Sequence, residues 1–235
     1  MSVKTTLNYS PNFVFKKRKK KQIKFLIFHY TGTKRENEAI QKLTKIQSVV
    51  SAHYFVKKNG KIITMVPELY TAWHAGISKW GIYKFLNKNS IGIEISNPGH
   101  QFGYVNFSKQ QIKSLIKLSK FLISKYKIKK NCLLGHSDIA PDRKLDPGEK
   151  FPWMLLSQNK IGIWHNLGKK KLNFLRHKKV SDRENNLFMK NLRKLGYANT
   201  STFIKNKSNF NKLLIKAFQR RFRPELINGK IDQEC

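Results

Sequence analysis

The sequence predicts an α/β fold, a mixed central β-sheet flanked by helices, followed by a small C-terminal helical segment. Short apolar runs, typical of buried strands, alternate with longer stretches whose apolar residues recur at helical spacing. The clearest strand is the run 24–28, and the clearest helix spans residues 107–126. A chain of 235 residues can hold one domain of about 150 residues with its own core, plus a smaller appendage.

A helix and then a hairpin follow the first strand. Residues 36–50 place apolar side chains on one helical face and acidic ones at the start, where they suit the helix dipole. Residues 52–57 and 61–66 flank Asn59-Gly60, a dipeptide that favours a tight turn between two antiparallel strands.

Two further strands lie on either side of the clearest helix. Residues 90–96 are apolar apart from one carboxylate, and residues 131–135 form a short apolar run. At the start of helix 107–126, Ser108 and Gln111 have the spacing of a capping box. These elements complete the predicted sheet and its flanking helices.

The composition changes along the chain and indicates four parts. We expect an N-terminal arm (1–22), a main domain (23–156), a linker (157–180) and a helical segment (181–235). Residues 16–21 are all Lys or Arg, which is typical of a solvated segment. Apolar residues recur at helical spacing between 182 and 195 and again around 210–218, so two helices are expected in the last part.

The chain is strongly basic, with 48 Lys+Arg against 13 Asp+Glu and a formal charge of +35. Such an excess is often a sign of a nucleic-acid or anionic-surface partner. Here the basic residues are mostly lysines spread along the whole chain among many Ile, Asn and Phe residues, as a general drift in composition also produces. We therefore expect no nucleic-acid partner.

Targeting segments and cysteines give little sign of export. No apolar stretch reaches the roughly 18 residues that a transmembrane helix needs. Residues 1–9 lack the apolar core of a signal peptide, so a cytoplasmic location is the simplest expectation. The two cysteines, Cys132 and Cys235, make no disulfide framework.

The loop 135–148 carries most of the chemically useful side chains. It follows the strand 131–135, and its prolines and glycines favour a stiff, irregular backbone. His136 and Asp146 are side chains of the kinds that bind zinc. Asp138 and Asp142 are alternatives to Asp146, and spacing alone does not choose between them.

A third ligand candidate follows the strand 24–28. If that strand lies beside the strand 131–135, His29 and His136 emerge at the same edge of one sheet. His29, His136 and an aspartate would then give the three protein ligands typical of a catalytic zinc site, with a fourth position for water.

Glu94 is the unusual member of the strand 90–96. A carboxylate between two isoleucines is costly to bury without a partner, so it either faces outward at an edge or has a chemical role. Beside a metal site it could accept a proton from water.

Five motifs together make the chain resemble a known family. They are His29-Tyr30-Thr31, Ser51-Ala52-His53-Tyr54, Ala72-Trp73-His74-Ala75-Gly76, Ile91-Gly92-Ile93-Glu94 and the loop from Gly135 to Gly148. Their order and spacing are similar to those of the zinc-dependent N-acetylmuramoyl-L-alanine amidases of type 2, whose relatives include phage amidases and animal peptidoglycan-recognition proteins. The resemblance covers roughly residues 10–156 and implies the mixed α/β fold of that family.

The resemblance also implies roles for individual residues. Zinc would be bound by His29, His136 and Asp146, with Glu94 as general base and Lys144 stabilising the oxyanion. Residues expected to contact substrate are Trp73, His74, Ala75, His53 and Arg143. Some relatives carry a catalytic tyrosine where this chain has Ala52, which leaves the role of base to Glu94.

The implied reaction is hydrolysis of the amide between N-acetylmuramic or anhydromuramic acid and L-alanine of the stem peptide, with peptidoglycan or a muropeptide as partner. The alternative is a recognition protein that binds such fragments without cutting them. The segment from Leu192 to Asp232 is similar to a small three-helix peptidoglycan-binding module, here expected to be truncated. Because that module is commoner in relatives facing the cell wall, a periplasmic or cell-wall-facing location is the alternative to the cytoplasm.

Overall fold

A computed structural model describes residues 3–198 and 200–235. Met1, Ser2 and Asn199, which fall in the expected arm and C-terminal segment, lie outside the described residues. The strands are β1 (Thr6–Leu7), β2 (Phe13–Val14), β3 (Phe25–Tyr30), β4 (Tyr54–Val56), β5 (Ile62–Thr64), β6 (Thr71–Ala72), β7 (Lys79–Trp80), β8 (Tyr83–Lys84), β9 (Ser90–Ile95) and β10 (Leu133–Gly135). The helices are α1 (Glu36–Thr44), α2 (Lys109–Tyr126), α3 (His136–Ile139), α4 (Trp153–Gln158), α5 (Lys169–Leu175), α6 (Asp182–Leu195) and α7 (Lys207–Phe222).

Six strands form one mixed sheet in the order β1-β5-β4-β9-β3-β10. The inner strand β3 runs parallel to both β9 and β10, whereas β4 and β5 form the predicted antiparallel hairpin. The mixed α/β fold with flanking helices is therefore confirmed. Because β3, β9 and β10 are parallel, their C-terminal ends meet at one edge of the sheet.

Both faces of the sheet are covered, which explains why β3 is apolar from Phe25 to Phe28. Leu26 and Phe28 pack toward α2 in one cluster of buried side chains, and Phe25 and Ile27 pack toward α6 and α7 in another. The helices of the C-terminal part are thus packed on the sheet itself. Among the described residues, no helix has both the length and the apolar character to cross a membrane.

The predicted helix 36–50 is too long, because α1 ends at Thr44. The side-chain amide of Asn12 donates to the carbonyl of Lys45 at 2.9 Å and to that of Val50 at 3.0 Å. The Lys45 carbonyl would otherwise accept the next hydrogen bonds of a continuing helix. Ser48 also takes up carbonyls at this end, since its hydroxyl donates to those of Lys42 and Lys45. Asn12, from the N-terminal arm, and Ser48 together hold the chain after α1 in a non-helical course.

The regions expected to be an arm and a linker both contain regular structure. In the arm, β1 pairs with β5 and β2 pairs with β6, and Arg18 is buried. The region 157–180 contains α5. The four-part division of the chain stays a prediction.

Candidate metal centre

The register of the sheet brings the expected ligands together. His29, near the end of β3, lies opposite Glu94 of β9, and Gly135, the last residue of β10, lies opposite Phe28. His136 comes directly after Gly135 and is therefore level with His29. Sequence reasoning placed His136 in an irregular loop, but it begins the short helix α3.

Three ligand atoms from distant parts of the chain converge at this edge. Nδ1 of His29 lies 3.0 Å from Nδ1 of His136 and 2.9 Å from Oδ2 of Asp146, and the third side of the triangle is 3.1 Å. All three residues are buried, with relative exposures of 1%, 3% and 7%. The backbone N–H of Ser137 donates to the Asp146 carbonyl at 2.8 Å, which fixes the two ligand-bearing segments to each other.

Hydrogen bonds fix where the proton of His29 lies. The Ser90 hydroxyl donates to the Leu86 carbonyl at 2.6 Å, so its oxygen can only accept from Nε2 of His74, 3.1 Å away. Nδ1 of His74 must then accept, and it lies 3.0 Å from Nε2 of His29. The proton of His29 is therefore on Nε2, and Nδ1 presents a lone pair to the centre.

The same reasoning applies to His136. Its Nε2 lies 3.2 Å from the carbonyl oxygen of Ala75, which can only accept, and 3.4 Å from Nη2 of Arg143, which donates to that same carbonyl at 2.6 Å. With the Nε2 proton directed to the nearer Ala75 oxygen, Nδ1 of His136 also carries a lone pair. Burial lowers the pKa of His136 to about 4 and that of His74 well below its usual value, so both rings are neutral near pH 7.

Two lone pairs and a carboxylate oxygen thus face one another about 3 Å apart. That arrangement is repulsive unless a cation lies among the three atoms. Zinc binds imidazole nitrogen and carboxylate oxygen at about 2.0–2.2 Å, a distance from which one ion reaches all three. The centre is a buried triad that can hold a metal ion, and its donor set fits zinc.

The two alternative aspartates have other partners. The Asp138 carboxylate pairs with Arg221 and accepts from the Tyr197 hydroxyl, and Asp142 accepts from the hydroxyl of Ser201. Among the four candidate acids and histidines of this loop, only His136 and Asp146 point into the centre.

Glu94 lies beside the triad, partly exposed to the cavity above it. Its Oε2 atom is buried and has no hydrogen-bond partner among the described residues. Burial, with the opposing effects of His29 and Asp146, raises the pKa of Glu94 to about 7. A carboxyl group with such a pKa and a free oxygen atom is suited to accepting and returning a proton near neutral pH.

A cavity of about 410 Å³ opens over these groups. Its walls include the end of β3, the loop 143–146 that contains Lys144, and both Trp73 and His74. His74 is not free in this wall, since both its ring nitrogens are hydrogen-bonded. Trp73 is the better placed of the two for contact with a ligand.

Three other residues expected to contact substrate are placed differently. Arg143 lines the cavity, but its guanidinium donates to the carbonyls of Ala75 and Ile77 at 2.6 Å each and so holds the loop 75–77. Ala75 and His53 have 0% exposure and do not line the cavity. His53 instead accepts from the backbone of Gly92, because it lies behind His74 in the core.

Several residues at the cavity escaped sequence reasoning. Helix α1 contributes Lys42 and Leu43 to the wall of the cavity. His100 also lines the cavity, and its Nδ1 is hydrogen-bonded to the Tyr30 hydroxyl at 2.9 Å. The motif containing Gly92 did not reveal the role of the glycine itself, which leaves room for the His74 ring: a Cβ at this position would collide with that ring. A glycine inside a strand, which often marks a close approach, was the available signal.

Comparison with known proteins gives a consistent result. The family model described as N-acetylmuramoyl-L-alanine amidase matches residues 19–149, just over half of the chain. N-acetylmuramoyl-L-alanine amidase AmiD of Escherichia coli is 37% identical over 225 residues, 91% of this chain and 79% of that protein. The 1,6-anhydro-N-acetylmuramyl-L-alanine amidase AmpD of Haemophilus influenzae is 39% identical over 108 residues, 46% of this chain and 56% of that protein.

Solved structures extend the likeness to the whole fold. The structure of E. coli AmiD in complex with the substrate anhydro-N-acetylmuramic acid-L-Ala-D-γ-Glu-L-Lys matches with a TM-score of 0.77 and 36% identity, covering 91% of this chain and 85% of that one. AmpDh3 of Pseudomonas aeruginosa, in complex with anhydromuramic pentapeptide, matches with a TM-score of 0.77 and 30% identity, covering 91% and 88%. With the matched family model and these relatives, the chain belongs to the N-acetylmuramoyl-L-alanine amidase family.

Proposed function

We propose that the protein is a zinc-dependent N-acetylmuramoyl-L-alanine amidase. It hydrolyses the amide between the lactyl group of N-acetylmuramic or anhydromuramic acid and the L-alanine of the stem peptide. The observation that carries this proposal is the convergence of two unprotonated histidine nitrogens and one carboxylate oxygen beside the unpartnered oxygen of Glu94.

His29, His136 and Asp146 would hold the zinc ion. Bound there, zinc supplies Lewis-acid chemistry, polarising a carbonyl and lowering the pKa of water. Glu94 takes one proton from the attacking water on Oε2 and returns it to the leaving nitrogen of L-alanine. The water oxygen bonds to the carbonyl carbon and the carbon–nitrogen bond breaks. The new carboxyl group gives the second proton of the water to the amine, so the products are a muramyl carboxylate and a stem peptide with a protonated amino terminus.

Positive charge around the cavity suits both the transition state and the substrate. Lys144 lines the same cavity as Glu94 and stabilises the carbonyl oxygen as it becomes negative. Lys42 of α1 also lines the cavity, where it can attract the carboxylates of a stem peptide. The substrates bound by E. coli AmiD and by AmpDh3 are anhydromuramyl peptides, which supports this substrate class.

A second candidate is a recognition protein that binds the same fragments without cutting them. The complete triad and the raised pKa of Glu94 favour catalysis, because a binding protein needs neither. Glycan binding by residues 181–235 and the cellular location stay predictions.

Product analysis tests the proposal. The anhydromuramyl tripeptide bound by E. coli AmiD and intact peptidoglycan sacculi are incubated with the wild-type protein and with Glu94→Gln, each with and without chelator. We expect the wild type to release the free stem peptide, with loss of activity after chelation and recovery on adding zinc. Mass spectrometry identifies the products, and the two substrates distinguish a preference for fragments from one for polymer.

Glu225→Gln is a matched control, because Glu225 is an exposed carboxylate whose ion pair with Arg176 is long, at 3.9 Å. It should retain full activity. Binding of the tripeptide without release of stem peptide would favour the recognition protein. Release that survives both Glu94→Gln and chelation would refute the mechanism.

A further inference from the structure

Asp138 lies on the helical turn that begins with His136, and residues far along the chain hold its carboxylate. Nη1 of Arg221, in α7, donates to Oδ2 at 2.6 Å, and the Tyr197 hydroxyl donates to Oδ1 at 2.6 Å. The backbone N–H of Gly135 donates to Oδ2 at 2.8 Å. Every partner found for this carboxylate therefore either precedes His136 directly or comes from the C-terminal helical segment, residues 181–235.

Arg221 and Tyr197 are themselves fixed. Nη2 of Arg221 donates to the carbonyl of Leu133 in β10 at 3.0 Å, and the guanidinium lies 4.1 Å from the centre of the Trp153 ring. The Tyr197 ring packs against that of Trp80, with centroids 4.8 Å apart. The C-terminal helical segment thus contacts both the last strand of the sheet and the turn that follows it.

Burial makes these contacts consequential. Asp138 is 1% exposed and Arg221 3%, and Arg221 is the only ion-pair partner of Asp138 in the described part of the chain. A buried charge that loses its partner is strongly unfavourable. Without Arg221 the Asp138 carboxylate would lose the guanidinium that holds it, and the turn carrying His136 would lose one of its anchors.

We propose that the C-terminal helical segment is a positioning element of the metal centre. Through Arg221 and Tyr197 it holds Asp138, and through Asp138 it orients His136 toward the ion. This assigns to the segment a function distinct from glycan binding. It rests on the proposed function only in taking zinc as the ion.

The central test compares two buried arginines, Arg221 in α7 and Arg223 directly after that helix. In Arg221→Met the ion pair to Asp138 is lost, whereas in Arg223→Met an equally buried pair to Asp232, also at 2.6 Å, is lost within the C-terminal segment. Zinc affinity is measured in the full-length proteins by competition with a chelator. We expect Arg221→Met to weaken zinc binding by about 10–100-fold, as is usual for partners of metal ligands, and Arg223→Met to leave it within about twofold.

A milder pair of variants covers the case in which Arg221→Met does not fold. Tyr197→Phe removes one hydrogen bond to Asp138, and Tyr126→Phe removes a comparable phenol–carboxylate bond to Glu68, far from the centre. We expect Tyr197→Phe to weaken zinc binding by about fivefold and Tyr126→Phe not to change it.

Hydrogen exchange in the metal-free proteins gives a readout that needs neither zinc nor substrate. The amides of Ser137 and Ala140 should exchange faster in Tyr197→Phe and Arg221→Met than in their controls at matched overall stability, because the turn is released. Equal zinc affinities and equal exchange in each matched pair would overturn the proposal. If the wild type bound no zinc, the proposed function would fail, and hydrogen exchange would still decide whether the segment holds the turn.

Discussion

Glu94 lies directly opposite His29 in the parallel pairing of β9 with β3. The backbone pairing of the two strands thereby places the carboxylate that we propose as proton acceptor beside a proposed ligand of the metal ion. Because the sheet sets their relation, neither side chain needs a mobile loop to reach its place.

The raised pKa of Glu94 gives a prediction about stability. The folded protein holds a proton on Glu94 up to about pH 7, whereas the unfolded chain releases it near its ordinary value of about 4.3. Metal-free stability therefore falls as pH rises between these values. Glu94→Gln should be more stable than the wild type at pH 8, by up to about 3 kcal/mol, and no more stable at pH 4. Denaturant unfolding of the metal-free proteins at both pH values measures this, and a gain that does not depend on pH would contradict it.

Loss of His74 should weaken metal binding. In His74→Phe, Nε2 of His29 loses its hydrogen-bond acceptor, so the ring is free to rotate or change tautomer. We expect zinc affinity to fall by about 10–100-fold, measured by chelator competition. His100→Phe, which removes a histidine from the cavity rim, is the control for the loss of an imidazole. Unchanged zinc affinity in His74→Phe would mean that the hydrogen bond does not orient the ligand.

Gly92→Ala should disturb the hydrogen bonds of His74 to His29 and Ser90, because Gly92 packs against the His74 ring. The added Cβ would collide with the His74 ring, so either the ring or strand β9 must move. We expect a loss of about 1–3 kcal/mol in stability together with weaker zinc binding. Gly168→Ala, where an added Cβ meets nothing within 4 Å, should change neither. Thermal unfolding with and without zinc separates the two effects.

Lys144→Met tests stabilisation of the oxyanion. If the ammonium acts only in the transition state, kcat should fall by about 100-fold while KM and zinc content change little. Lys42→Met should instead raise KM, since Lys42 is placed to attract substrate carboxylates. Lys120→Met on the exposed face of α2 is a control for the loss of charge. Steady-state kinetics on the anhydromuramyl tripeptide measures these effects. A rise in KM with unchanged kcat for Lys144→Met would mean that Lys144 only binds substrate and does not stabilise the oxyanion.

Sequence reasoning reached the histidines because strand ends are readable from local patterns. His29 and His136 each follow a short apolar run, and parallel pairing brings such ends together. The choice among the aspartates was not readable locally. Asp138 is occupied by Arg221, 83 positions further along the chain, and only the folded structure reveals that pairing.

Long-range contacts also explain the other differences. Where helix α1 ends early, Asn12, 33 positions before Lys45, donates to the Lys45 carbonyl, and Ser48 donates to it as well. His53 was expected near substrate because of its motif. It lies instead in the core behind His74, where the backbone N–H of Gly92 donates to its Nδ1.

The pairing of Gly135 with Phe28 makes His136 depend on the alignment of β10 with β3. A shift of this register by one residue would turn Leu133 and Leu134 to the opposite faces of the sheet, and His136 would no longer lie beside His29. Chains with that error would take up no tightly held ion. The fraction of a refolded preparation that retains zinc against a chelator should therefore measure the fraction of molecules in which the edge strand β10 has paired with β3 in the native register.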